Sequence, residues 1–233
     1  MAEIYPVVHV NRPGVAIEMA NLALNYGADG VFLINHNAGR EAQLIEAYNE
    51  VTTQNPNSFV GLNFLERQNS FFAFLYLQDA LQSGEITRLP DGLWVDDADP
   101  MKDMTQELRE DDPDLKAVRY FGGIAFKYTR LYTPEAKPAA WQARRLAYYV
   151  DDITTSGEGT GRPPSIEKIA LMKAAARFYD KPLAVASGIS AENLRDYNGD
   201  IDKVLVSTSI EVEPYSGIFV PTKLKEIIEA GKS

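Results

Sequence analysis

Short β-rich apolar runs recur along the chain, separated by stretches with helical spacing. The runs are Ile4–Val10, Val31–His36, Phe59–Leu65, Leu93–Asp96, Ala117–Phe121, Val150–Ser156, Leu183–Ser187 and Val204–Ser207. Between them, Leu44, Ala47, Tyr48 and Val51 fall at i, i+3, i+4 and i+7, and Leu224, Ile227 and Ile228 begin the same pattern. Val31-Phe32-Leu33-Ile34 is continuously apolar, the mark of a strand covered on both faces, as in parallel sheets. The pattern predicts eight strand–helix units, each roughly 30 residues long. Eight such units fit one (β/α)₈ barrel domain over residues 1–233, near the lower end of its size range. The competing architecture is a doubly wound open sheet, which announces itself by a Gly-rich turn after the first strand. Here that turn is Asn11-Arg12-Pro13-Gly14, and the Gly-rich turns come late in the chain. Pro163-Pro164-Ser165 gives a turn and an N-cap for a helix from Ile166, and Ser190 is expected to cap a short helix, Ala191–Tyr197.

Composition removes several kinds of chemistry. With no cysteine there is no disulfide, no thiolate-bound metal and no cysteine nucleophile. Only two histidines, His9 and His36, exist, which excludes a three-histidine zinc site within one chain. The 33 acidic and 23 basic residues give a net charge of -10, and the basic ones do not cluster, which argues against nucleic-acid partners. MAEIYPVVHV does not read as a secretory signal, and the longest apolar run, Phe71–Leu77, is far short of a membrane span. The expectation is a soluble, cytoplasmic protein.

In a barrel the chemistry gathers where strands end. Polar residues close the runs at His9, Asn35 and His36, Asn63, Asp96 and Asp97, Thr155 and Ser156, Ser187 and Gly188, and Ser207 to Ser209, with Lys127 a little beyond the fifth. Strand ends are also where polar loops begin, so the ensemble rather than any single residue points to a ligand-lined mouth. The sharpest local signal is Thr155-Ser156-Gly157-Glu158-Gly159-Thr160-Gly161, whose alternating glycines let backbone N–H groups converge on an anion. Glu158 fits there only if it points to solvent or pairs with Arg162. Lys127 lies among aromatic and apolar neighbours. It is open to reading as an imine-forming nucleophile, a general acid, a phosphate counter-charge or a surface lysine. Only one of the adjacent Asp96 and Asp97 can face the mouth.

Several segments resemble a known family. They are Gly61-Leu62-Asn63-Phe64-Leu65, the run from Thr155 to Pro164, Pro182-Leu183-Ala184-Val185-Ala186-Ser187-Gly188-Ile189-Ser190, and Lys203-Val204-Leu205-Val206-Ser207-Thr208-Ser209. They are similar to the BtpA family, named for a role in photosystem I biogenesis, within the ribulose-phosphate-binding type of (β/α)₈ barrel. The resemblance is continuous over the last third of the chain and patchy before it. It implies phosphate loops at Gly157 to Gly161, at Ser187-Gly188 and at Ser207-Thr208. The chain departs from the family at His9-Val10-Asn11-Arg12-Pro13-Gly14 and at Asp96-Asp97.

The functional expectation is an enzyme of the lyase, isomerase or transferase kind acting on a small phosphorylated metabolite. Ser156, Gly157, Gly159, Thr160, Gly161, Ser187, Gly188, Ser207 and Thr208 would hold the phosphate, and His9, Asn63, Asp96 and Lys127 would surround the reacting carbons. No cofactor or metal is called for, and a homo-oligomer is left open. The alternative is a non-catalytic assembly or regulatory factor of the BtpA type.

Overall fold

The first strand pairs with the last: Glu3 lies beside Lys203 and Pro6 beside Val206, in parallel register, closing the sheet on itself. The computed structural model describes residues 1–36, 41–67, 69–197 and 199–233. Its eight strands run β1 (Glu3–His9), β2 (Val31–Ile34), β3 (Val60–Asn63), β4 (Gly92–Val95), β5 (Arg119–Gly123), β6 (Asp152–Thr155), β7 (Leu183–Val185) and β8 (Lys203–Val206). Each pairs in parallel with the next, so the architecture is a (β/α)₈ TIM barrel and the open-sheet alternative is set aside. The helices are α1 (Pro13–Asn25), α2 (Glu41–Gln54), α3 (Ser70–Ser83), α4 (Lys102–Asp111), α5 (Pro113–Ala117), α6 (Ala136–Leu146), α7 (Ile166–Arg177) and α8 (Pro221–Gly231).

Local chemistry sets the helix starts. Proline opens α1 and α8, where its missing N–H costs nothing. Asn69 accepts the Phe72 N–H at 3.1 Å at the head of α3, and Ser165 caps α7 through the Lys168 N–H, as its sequence predicts. The seventh unit differs from expectation. In place of a helix over Ala191–Tyr197 there is a 3₁₀ turn, Leu194–Tyr197. Asn193 explains it: its side chain accepts from the Ser190 N–H and donates to Gly188 O, locking a side-chain-closed turn where the helix would start.

Two apolar cores follow from strand alternation. Outward residues such as Ile4, Val8, Leu33, Leu93 and Val204 pack against the helices. Inward residues, Tyr5 and Val7, Phe32 and Ile34, Trp94, Phe121, Ala184 and Leu205, fill the barrel. Edge-to-face rings dominate this inner core, with Phe32 and Phe121 centred 5.0 Å apart. Below the rings a closed charge network seals the N-terminal ends of the strands. Asp152, whose side chain is fully buried, binds Arg119 and Lys203, and Lys203 also reaches Glu3 at 3.2 Å.

The inward parity carries directly into the mouth, because Val7 leads to His9, Trp94 to Asp96, Gly61 to Asn63 and Leu205 to Ser207. Gly123 matters most for this geometry. A Cβ there would come within 1.9 Å of the Asp96 carbonyl oxygen, a backbone atom with nowhere to go. Gly123→Ala is therefore expected to lose about 2–4 kcal/mol in denaturant unfolding, through displacement of the end of β4. A loss under about 0.5 kcal/mol would show that β4 and β5 do not fix the Asp96 backbone.

Candidate functional site

At the C-terminal ends of the strands lies a cavity of about 210 Å³. Its wall includes His9, Asp96, Lys127, Thr160-Gly161, Ser187-Gly188 and Ser207-Thr208. Three of the four expected reacting groups thus share one cavity with six of the nine expected phosphate residues. Asn63 stands behind them: it lines an adjoining cavity and donates its amide N–H to Asp96 Oδ1 at 3.2 Å.

Ser156, Gly157 and Gly159 do not line the cavity; they shape the loop. The Ser156 hydroxyl accepts from the Lys127 N–H at 2.7 Å and donates to Gly157 O at 2.9 Å. Gly157 is required for close packing, since a Cβ there would fall 2.0 Å from Arg162 O. The Ser187 hydroxyl also binds protein, donating to Gly159 O at 2.7 Å and Arg162 O at 3.1 Å. Gly188, at φ +67°, lies flat against Arg162-Pro163, where a Cβ would be 2.2 Å from Pro163 N. The turns after β6 and β7 are thus clamped together. Gly161, at φ +74°, faces the turn after β8: its Cβ position is 3.7 Å from Thr208 Oγ1. Among the described residues, no protein acceptor takes the backbone N–H of Gly161, Gly188 or Thr208. Glu158 pairs with Arg162, and both are largely exposed.

Lys127 Nζ lies 3.5 Å from both Thr160 Oγ1 and Ala186 O, and burial lowers its pKa against the pull of Asp96. Beneath it is a second lysine. Lys168 is buried and donates to Ala125 O at 2.9 Å and Ser156 O at 2.8 Å, tying the loop after β5 to the loop after β6. Desolvation alone lowers its pKa to about 8. In the bridged loop, Ala125 and Tyr128 are both left-handed, at φ +50° and +64°. The Tyr128 hydroxyl accepts the Thr160 N–H at 3.2 Å, a link across the rim.

Asp96 is the perturbed acid. Desolvation raises its pKa to about 6; the Asn63 hydrogen bond and the Lys127 charge oppose the rise, and Asp97 adds to it. Asp97 has a different task, accepting the Asp99 N–H at 3.1 Å in its own loop. The adjacent pair is therefore divided as strand parity requires.

Two partners of His9 escaped sequence reasoning. Glu211, buried in the loop after β8, accepts from His9 Nδ1 at 2.8 Å and from the N–H groups of Tyr215 and Gly217 at 2.9 and 3.0 Å. Tyr215 sets its ring 5.3 Å from that of His9. No spacing rule links residues 202 positions apart in the chain. His36 lies edge-on to His9 at 4.8 Å, one side open to solvent. Its pKa is held down by desolvation first, and then by the His9 and Lys127 charges.

Among the described residues, no group of three or more His, Asp or Glu side chains is arranged to hold a metal ion, and no helix is long and apolar enough to cross a membrane. No protein-family model matches the chain, and no curated protein matches it in sequence. Its fold is shared with solved TIM-barrel structures. One is phosphoribosyl anthranilate isomerase in complex with reduced 1-(o-carboxyphenylamino)-1-deoxyribulose 5-phosphate (TM-score 0.68, 13% identity, 100% of this chain and 99% of that one). Another is a thiamine phosphate pyrophosphorylase from Pyrococcus furiosus (0.65, 13%, 99% and 95%). A third is a 3-hexulose-6-phosphate synthase (0.66, 13%, 98% and 99%). The chain therefore has the TIM-barrel fold used by enzymes of phosphorylated metabolites, and at these identities the likeness is one of fold.

Two measurements check the electrostatics. A carboxylate only accepts, so Glu211 requires the proton of neutral His9 on Nδ1, leaving Nε2 as the lone-pair nitrogen. Nitrogen-15 shifts should show the Nδ1–H tautomer; an Nε2–H tautomer would mean that Glu211 does not orient the ring. For Asp96, the folded state binds a proton that the unfolded chain releases between pH 3.8 and about 6, so its destabilising effect is complete only above pH 6. Asp96→Asn is expected to gain about 1–2 kcal/mol at pH 7, a gain that fades as the pH falls through that window. A pH-independent change would contradict a desolvated carboxylate with a raised pKa.

Proposed function

We propose that this chain is an enzyme acting on a small phosphorylated metabolite by proton transfer, in the manner of an isomerase or lyase. The observation that carries the reading is the sharing of one cavity by His9, Asp96 and Lys127 with the turns at Thr160-Gly161, Ser187-Gly188 and Ser207-Thr208. In this reading the unmatched N–H groups of Gly161, Gly188 and Thr208 take the phosphate oxygens, and the Lys127 ammonium balances their charge. His9, held by Glu211, offers Nε2 as the base. Asp96, with a pKa of about 6, gives or takes the second proton close to neutral pH. Lys127, beside the anion loop, acts here as counter-charge rather than as an imine nucleophile. The chain's own groups supply the whole of this chemistry. The BtpA-like run through Gly161, Gly188 and Thr208, with the shared TIM-barrel fold, supports the same placement.

A non-catalytic assembly or regulatory factor is the second reading, and one observation favours it. Trp141, Tyr148 and Phe178 are 64%, 64% and 68% exposed, and none of them lines the mouth.

Gly161→Val separates the two. Its left-handed φ makes a β-branched residue cost about 1–2 kcal/mol, while its open side leaves the core untouched. Millimolar phosphate or ribose 5-phosphate should raise the melting temperature of the native chain by a few degrees and that of Gly161→Val not at all. A well-folded Gly161→Val that keeps the full shift removes the phosphate site from this loop. On the factor reading, the variant still supports the biological process, while Trp141→Ala does not.

A further inference from the structure

We propose that the substrate carries a second anionic group at the end remote from its phosphate, and that the cavity over β3 and β4 is the subsite for it. This rests on the phosphate reading above and extends it to the substrate's other half.

The mouth is a groove with two lobes. Leu65, Asp96, Lys127 and Tyr128 line both cavities and form the waist between them. One lobe, about 210 Å³, holds the turns after β6, β7 and β8. The other is larger, about 470 Å³, and opens toward Asn69, Arg67, Asp97 and Arg130. A ligand with its phosphate at Gly161 and its reacting carbons between His9 and Asp96 has filled only the smaller lobe. Anything further along its skeleton enters the larger one. Phosphate in one lobe and proton transfer at the waist therefore define a substrate with two arms.

The second lobe has the chemistry of an anion site. Arg67 is held by Glu41 through two hydrogen bonds, at 2.9 and 3.1 Å, and its guanidinium lies 3.8 Å from the centre of the Tyr76 ring. Its planar fork is thereby fixed before any ligand arrives. Arg130 is exposed and has no ion-pair or hydrogen-bond partner among the described residues, so its charge is available. Asn69 uses its side-chain oxygen to cap α3, which leaves its amide NH₂ as the end free to donate. Lys127 adds a cation at the waist. Glu41 is already paired with Arg67; the carboxylates of the lining that oppose an anion are Asp96 and Asp97. Both have raised pKa values, with desolvation the first cause, so they are the carboxylates that most readily take a proton beside a negative ligand. A carboxylate and a second phosphate share the recognition chemistry this lobe offers.

The experiment compares four probes by calorimetry at constant ionic strength: inorganic phosphate, ribose 5-phosphate, 3-phosphoglycerate and ribulose 1,5-bisphosphate. All four are titrated into the native chain and into Arg130→Ala, a rim substitution that leaves the core intact. At least one of the two doubly anionic probes should bind about tenfold tighter than ribose 5-phosphate, and Arg130→Ala should abolish that advantage while leaving the affinity for inorganic phosphate within twofold. Preference for 3-phosphoglycerate marks the second group as a carboxylate, and preference for the bisphosphate marks it as a phosphate; either supports the proposal. Equal affinity of singly and doubly charged probes, or an advantage that survives in Arg130→Ala, overturns the second subsite and leaves the phosphate site standing. Failure of all four probes to bind overturns the phosphate reading, and the subsite with it.

Discussion

Once eight parallel strands close into a ring, each residue along a strand is committed to the inside or the outside, and the whole mouth depends on that parity. Tyr5 and Val7 point inward, so His9 does too; Trp94 points inward, so Asp96 follows while Asp97 turns aside to its own loop. A slip of one residue would replace His9 by Val8 or Val10 in β1, and Asp96 by Val95 or Asp97 after β4. The aromatic rings beneath make such a slip costly. Phe32, Phe121, Trp94 and Tyr5 meet edge-to-face inside the barrel, and Gly61 leaves room where a Cβ would lie 2.2 Å from the Phe32 ring. The mouth is thus the top of a packed column.

The two ends of that column treat buried charge in opposite ways. At the closed end, Asp152 and Lys203 are both nearly inaccessible and are matched within one network with Arg119 and Glu3. At the open end, among the described residues, half-buried Asp96 has only the Asn63 amide at hydrogen-bond distance, and half-buried Lys127 has only neutral oxygens at 3.5 Å. Buried ions with complete partners stabilise or cost little; those with incomplete partners cost stability and retain the capacity to change protonation. Lys168 shows the intermediate case. Among the described residues it meets two carbonyls and no carboxylate, and desolvation lowers its pKa, yet the bonds it makes hold the loops after β5 and β6 in place.

How much of this was legible in the sequence follows from the range of each interaction. The eight strands were readable because burial on both faces leaves a local apolar run, and their C-terminal ends were displaced by one or two residues because local composition does not mark where ladder pairing stops. The Ser165 cap was readable within four residues. The turn at Ser190 was misjudged, since the competing Asn193 side chain is as local as the helix signal and simply wins. Glu211 was invisible: its role depends on ring closure bringing β8 beside β1. Its three hydrogen bonds have no trace in spacing. Tyr128 was equally hidden, because it reaches Thr160 by way of a left-handed residue that sequence gives no reason to expect.

The Gly- and Ser-rich turns show a division of labour that composition alone misassigns. Hydroxyls in such turns suggest ligand donors, and Ser156 and Ser187 stand in the right segments. Both are committed to the protein, however, with Ser187 clamping the loop after β6 through Gly159 O and Arg162 O. The glycines then fall into two classes. Gly157 and Gly188 are small because backbone presses against them, whereas Gly161 is left-handed with open space on its outer side. Clamping and openness are complementary: the packed residues fix the backbone, and a fixed backbone holds N–H groups toward one point without reorganisation when an anion enters. A looser set of turns with the same composition would have to order itself on binding, and that entropic cost would come out of the affinity. On the proposed phosphate reading, the interlocking of these turns is what would convert a common sequence motif into a preorganised cradle.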